Sequence, residues 1–164
     1  YMLETYLDFS QTVSSEENSI VNINEMIEEI TETSKEKNKS IIFKSSSENH
    51  INHKCKYIAL KRCIINLINN AKAYGDQVII SLSETNYEIN INIEDDGPGI
   101  NEKDYEKALK PFQRLDSSRN QNIAGSGLGL SISQDIIKTL DGNLSLSKSI
   151  IGGLKVEIQL PKNS

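Results

Sequence analysis

Apolar positions along this chain recur with two periods, and the changes between them mark out the elements. Tyr1 to about Val13 reads as the end of a helix, with Met2, Leu3, Tyr6, Leu7 and Phe9 on a broad apolar stripe. Ser14 to Ser19 is polar, without periodicity, and reads as a linker. Asn22 caps a second helix in a capping-box pattern with Glu25, and Ile23, Met26, Ile27 and Ile30 share one of its faces. Ile41-Ile42-Phe43 predicts a short strand, and Ser45 to Lys54 a loop with a brief edge strand at His50–His53. The clearest helix spans Lys56 to Ala73, with Leu60, Ile64, Leu67, Ile68 and Ala71 inward; Gly75-Asp76 ends it. Val78, Ile80 and Leu82 alternate, as do Ile89, Ile91 and Ile93, which predicts two strands before the break at Gly97-Pro98-Gly99. A short helix at Glu102 to Leu109 leads into an aperiodic stretch from Lys110 to Ala124, and loops of that length are usually functional. A helix from Gly127 to about Leu140 stops at Gly142, and strands follow near Leu144–Leu146 and Leu154–Leu160. This order predicts an α+β fold, a two-layer sandwich whose mixed, mostly antiparallel sheet is covered on one face by helices.

Composition narrows the function. The 164 residues suit one domain, and a net charge of -5 without a basic stripe argues against nucleic-acid binding. No apolar run approaches the ~18 residues of a membrane span. Cys55 and Cys63 form no metal or disulfide pattern, and a reducing cytosol fits them. Tyr1 opens on what already reads as helix, so the chain is expected to be part of something longer.

Three clusters carry possible chemistry. Asn66 and Asn70 lie four apart on one face of their helix, away from the apolar stripe, and their carboxamide oxygens suit a hard cation such as Mg2+. Abundant asparagine on a solvated face is the plain alternative. Asp95 shares the phase of Ile89, Ile91 and Ile93, so its carboxylate faces the gap between sheet and helices, where burying an unpaired charge is costly. A base with an exocyclic amine would suit it as donor, and Gly97 and Gly99 would admit a ligand close to the backbone. A simple Asp-Gly-Pro-Gly turn explains the same residues. Gly125-Ser126-Gly127-Leu128-Gly129 opens a helix, whose free N–H groups attract phosphate. It is neither a P-loop nor a dinucleotide fingerprint, since no Gly-Lys-Ser/Thr follows and position 130 is Leu. Together the three clusters describe a Mg-nucleotide pocket with a mobile loop between its last two parts.

The ordered motifs resemble the nucleotide-binding fold shared by gyrase, the heat-shock chaperone, mismatch-repair ATPases and histidine kinases, a Bergerat-type fold. Asn66 to Tyr74 matches the kinase N box, Asp95 to Gly99 the G1 box, Pro111-Phe112-Gln113-Arg114 the F box and Gly125 to Gly129 the G2 box. The resemblance covers about Asn22 to Pro161, and Glu94 to Ile100 with Pro111 to Arg119 look closest to the EnvZ-type osmosensor kinases.

That resemblance implies the catalytic domain of a two-component sensor histidine kinase, binding ATP and Mg2+. Asn70, with Asn66 beside it, would hold the metal. Asp95 would take the adenine amino group, Gly97, Gly99 and Ile100 would let the purine in, and Tyr74 would flank it. Phe112 and Arg114 would belong to the ATP lid, about 101–125, with Asn70 and Arg114 catalytic. Gly125, Ser126, Gly127, Leu128 and Gly129 would line the triphosphate. Residues 1–13 would end the dimerisation and phosphotransfer helix, 14–21 would be linker and 22–164 the catalytic domain. The acceptor histidine would lie upstream of Tyr1, since His50 and His53 lack an acceptor's context. Implied partners are that hairpin and a response-regulator receiver domain. The implied whole is a homodimer anchored in the inner membrane, with this domain in the cytoplasm.

The sequence departs from the kinase pattern in places. The usual Lys or Arg three residues after the metal-binding Asn is Ala73, leaving Lys72 or Arg119 as the phosphate-contacting cation. The often acidic position before Asn70 is Asn69, so no general base is assigned. Rival readings are a chaperone- or repair-type ATPase, an anti-sigma-type serine kinase, and a degenerate nucleotide-binding module that only regulates.

Overall fold

Alternation along the strands and 3.6-residue periodicity along the helices meet in a single apolar layer. The computed structural model describes residues 2–111 and 129–162. The elements run α1 (Met2–Ser15), β1 (Ser19–Asn22), α2 (Ile23–Thr33), β2 (Ser40–Ser45), β3 (Asn52–Cys55), α3 (Tyr57–Tyr74), β4 (Gln77–Glu84) and β5 (Glu88–Asp95). A 3-10 turn at Glu102–Asp104 precedes α4 (Tyr105–Ala108); α5 (Gly129–Thr139), β6 (Asn143–Lys148) and β7 (Leu154–Pro161) follow.

The main sheet has the order β2-β4-β5-β7-β6. β2 and β4 pair in parallel, with β3 and α3 forming the crossover between them, and the other pairs are antiparallel. Register aligns Phe43, Ile80, Ile93, Val156 and Leu146 in one row across all five strands. That row and its neighbours supply the core, with Ile80, Ile89, Ile91, Ile158 and Leu160 fully buried. The opposite face carries Ser81, Asn92, Glu157 and Ser145 in a corresponding row, as the two-residue alternation requires.

α3 lies at the centre of the helical layer. It buries Leu60, Ile64, Leu67 and Ile68 completely or nearly so, each contributing about 2 kcal/mol. That surplus lets its remaining face stay polar. α5 packs against it, and the Cys63 thiol reaches the Ser133 carbonyl at 3.8 Å. α2 buries Ile23, Met26, Ile27 and Ile30, and Asn22 caps it by accepting from the Glu25 N–H at 3.2 Å.

Two features go beyond the sequence reading. The stretch expected as linker contains β1, which pairs antiparallel with β3 as a second, two-stranded sheet. A strand of four residues that exposes Ile20 and buries Val21 leaves too little alternation to detect. The start of α3 is capped from far away. Lys56 supplies no side-chain cap; instead Glu16 accepts from the Ile58 N–H at 2.6 Å and the Ala59 N–H at 3.0 Å. In return the Lys56 ammonium donates to the Val13 carbonyl in the last turn of α1 at 2.5 Å. Carboxylate at a helix start and ammonium at a helix end both complement the backbone dipoles.

Candidate nucleotide-binding site

The site forms where β5 ends beneath the last turns of α3. Asp95 keeps the inward phase of Ile89, Ile91 and Ile93 and is 4% exposed. It stands where the alternation calls for another apolar residue. Its Oδ1 accepts from the Gly97 N–H at 2.9 Å and the Leu154 N–H at 3.3 Å. Among the described residues Oδ2 has no donor. Burial pushes the carboxyl above its ordinary range; the Gly97 and Leu154 N–H groups pull it back, and the charge of Asp96 adds to the rise. A buried acceptor held from one side is suited to a ligand bringing an N–H from the other.

The glycines around it are required by contact. A side chain at Gly97 would sit 2.7 Å from the Tyr74 carbonyl oxygen. Gly99 adopts φ 69°, a conformation glycine takes without strain. Gly153 is a site residue that the sequence reading missed. A Cβ there would lie 2.1 Å from Asp95 Oδ1 and 2.6 Å from the Gly97 nitrogen. Its N–H also donates to the Asp95 carbonyl at 3.0 Å. The Gly152-Gly153 pair was the available signal, but it reads as an ordinary hairpin turn until β7 is placed beside β5.

α3 brings the asparagines to the same end. Asn66 and Asn70 are half-buried on one face, Asn69 and Ala73 are exposed, and Tyr74 closes the helix half-buried. Lys72 is turned elsewhere: two residues past Asn70 it lies about 200° around the helix. Its ammonium donates to the Ser34 carbonyl at 3.1 Å and pairs with Glu36 at 2.5 Å. The expectation that Lys72 reaches phosphate is therefore corrected, because helical phase sends it toward the end of α2.

Beyond Gly99, Ile100 is partly buried against the core, and with Tyr105, Lys148 and Gly153 it lines a groove of about 490 Å³. Gly129 stands at the start of α5, where an added Cβ would meet nothing within 4 Å among the described residues. The expected contributions of Phe112, Arg114, Arg119, Gly125, Ser126, Gly127 and Leu128 lie outside the described residues, as does most of the expected lid. Among the described residues, then, Asp95, Gly97, Gly99, Ile100, Tyr74, Asn66 and Asn70 gather around the end of β5 and the last turns of α3. The described residues contain no cluster of three or more His, Cys, Asp or Glu able to hold a metal.

Comparison with known proteins agrees with this geometry. The chain belongs to the histidine kinase-, DNA gyrase B- and HSP90-like ATPase family, which matches residues 55–164, and so carries that family's ATP-binding domain. The sensor histidine kinase GtrS of Pseudomonas aeruginosa is 42% identical over 107 residues, 65% of this chain and 22% of that protein. The catalytic domain of histidine kinase ThkA, solved free of nucleotide, superposes with a TM-score of 0.77 at 26% identity, over 90% of this chain and 99% of that one. The histidine kinase domain of the E. coli osmosensor EnvZ superposes with a TM-score of 0.68 at 30% identity, over 89% of each chain. The expected α+β sandwich is thus the fold of histidine kinase catalytic domains, and the expected likeness to EnvZ is met. The chain spans about a fifth of the length of the curated relatives it matches.

Proposed function

We propose that this domain binds Mg-ATP and transfers its γ-phosphoryl group to a histidine on a dimerisation and phosphotransfer hairpin, for relay to a response-regulator aspartate. The observation that carries the reading is Asp95, a buried carboxylate whose Oδ1 is held by two backbone N–H groups and whose Oδ2 has no donor among the described residues. It would accept from the adenine amino group, while Gly97, Gly99, Ile100 and Tyr74 surround the purine. Asn70, with Asn66 one turn before it, has the hard oxygen donors that fit Mg2+, which supplies neutralising charge to the phosphates when bound. The N–H groups at the start of α5, at Gly129, with Gly125 to Leu128 before them, would take further phosphate oxygens. Arg114 and Arg119 are the proposed cations, and Phe112 the lid aromatic. With no general base assigned, positioning and electrostatic stabilisation would supply most of the rate, as in other phosphoryl transfers.

In the whole protein, residues 1–13 are proposed to end the phosphotransfer helix, with the acceptor upstream of Tyr1. Residues 14–21 would be the junction, within which β1 begins at Ser19, and 22–164 the catalytic domain. The proposed assembly is a homodimer anchored in the inner membrane by other segments, this domain being cytoplasmic. Among the described residues no helix is long and apolar enough to cross a membrane.

Titration calorimetry with ATP, with and without Mg2+, tests the site. Mg-dependent binding lost in Asp95→Ala is the expected result; absence of binding at millimolar ATP would move a purely regulatory module to first place. With a histidine-bearing hairpin added in trans, Asn70→Ala should abolish transfer, and full activity there would remove the metal assignment.

A further inference from the structure

Asp96 is the one carboxylate of the Asp95–Gly99 loop that faces away from the core, and the sequence assigns it nothing. Its Oδ1 accepts from two consecutive backbone groups, the Asp76 N–H at 2.8 Å and the Gln77 N–H at 2.9 Å. Its own N–H returns a bond to the Gln77 carbonyl at 3.3 Å. Residues 75–77 are the turn by which α3 becomes β4. Gly75 is required there, since a Cβ would stand 2.7 Å from Asp96 Oδ1 and 3.1 Å from the Asp95 Cβ. Lys39 closes the outer side, donating to the Gly75 carbonyl and to the Asp76 carboxylate, both at 2.9 Å. Three chain segments thus meet on one oxygen atom and one ammonium group, on the solvent side of the site.

The covalent neighbours of this knot are the residues a nucleotide would bridge. Asp95 and Gly97 flank Asp96 in the chain. Tyr74 immediately precedes Gly75, and Asn70 lies one turn before Tyr74 on the same rigid helix. The separation between the base-binding end of the site and the metal-facing end of α3 is therefore fixed where residues 75–77 join Asp96. The pairing of β4 with β5 reaches Val78 and Asp95, and the bond from the Asp96 N–H to the Gln77 carbonyl carries it one residue further; the Asp96 carboxylate adds the restraint on the turn itself.

We infer that Asp96 is a positioning residue for the nucleotide, setting the gap between Asp95 on the sheet and Asn70 on α3 through its bonds to the turn after α3. The inference rests on the nucleotide reading above. Asp96 touches no ligand itself; it holds in register two groups that do, and misregistration of bound groups is costly to both binding and transfer.

The test uses this chain, ADP with Mg2+, and three substitutions. Asp96→Asn keeps an acceptor oxygen at the same reach and should bind within about threefold of wild type. Asp96→Ala removes the acceptor, and Asp96→Glu keeps the charge but displaces it by one methylene; each should weaken binding about tenfold at temperatures where circular dichroism shows the variant folded. If Asp96→Ala does not fold, Asp96→Glu carries the test. Equal affinity in Asp96→Glu and wild type would overturn the inference, since a role in charge or stability alone is satisfied by either carboxylate. Amide spectra of the unliganded protein give a second readout. Asp96→Glu should shift the Tyr74, Asn70 and Gly97 resonances and speed hydrogen exchange at Asp76 and Gln77, and unchanged spectra would overturn the inference. That readout needs no nucleotide, so a wild-type chain that fails to bind would refute the nucleotide reading while this one is decided by the spectra.

Discussion

The two ends of α3 are held by opposite means. At its start, Glu16 fills the free N–H groups of the first turn from 42 residues away, and Lys56 ties the same corner to α1. At its end, the restraints are on the outside, in Lys72, Lys39 and Asp96, while among the described residues the side chains of Asn66, Asn70 and Tyr74 have no hydrogen-bond partner. One helix thus separates stability from the proposed binding role along its length. A helix start already occupied by a carboxylate is closed to an anion, whereas an end braced from behind can present polar side chains without losing its place.

Four perturbations break or sharpen that contrast. The largest effect should come from Gly153→Ala, which forces a methyl group against Asp95 Oδ1 and backbone. About 3 kcal/mol of unfolding free energy should disappear, measured by urea denaturation, together with nucleotide binding. Stability within error of wild type would show that β7 can shift without cost.

Asp95→Asn should act on binding alone. The amide keeps an oxygen for Gly97 and Leu154 but places a donor where a ligand N–H must dock, a loss of about 2 kcal/mol, or ~30-fold in affinity. The unliganded variant should melt no lower than wild type. The carboxyl pKa is raised by burial, so its ionisation is a native-state penalty. The folded protein takes up this proton before the unfolded chain does; the group's favourable contribution is present at low pH and is lost as pH rises through the folded value. The asparagine variant should lack that trend, and a lower melting temperature at neutral pH would refute the account.

Glu16→Ala probes the other end. Loss of a helix cap should lower stability by about 1 kcal/mol while leaving nucleotide affinity within about twofold. A large affinity change would mean that the two ends are not independent.

The smallest effect concerns His53, buried in β3 opposite Val21 just before α3 begins. Burial lowers its pKa, so the unfolded chain binds this proton first. The stability it contributes is complete above pH ~6.5 and declines as pH falls through that value toward the folded one. Between pH 7.5 and 5.5 the melting temperature should fall by about 2 °C, and His53→Leu should flatten the change.

Much of this was legible because the signal was local. The stripe on α3 and the alternation of Ile89, Ile91 and Ile93 fixed both elements, and the second of these also aimed Asp95 inward. The helical phase of Lys72 was equally available, and it would have turned that residue away from the site at the outset. What could not be read depended on distant partners. β1 exists because β3 lies beside it, Glu16 caps a helix that begins at Tyr57, and Gly153 is indispensable only because β7 brings it against Asp95. Asp96 carries no local sign of its role, since its two donors lie twenty and nineteen residues earlier.

The position of β7 has a consequence for assembly during synthesis. The latest strand among the described residues, β7, lies between β5 and β6, inside the sheet. Until it emerges from the ribosome, β5 exposes an unpaired edge bearing Ile89, Ile91 and Ile93, and Asp95 lacks both the Gly153 backing and the Leu154 N–H. The earlier strands can gather, but the sheet closes and the carboxylate acquires its setting in the same late event. A nascent chain shorter than about residue 154 should therefore be both adhesive and blind to ligand, gaining solubility and recognition together.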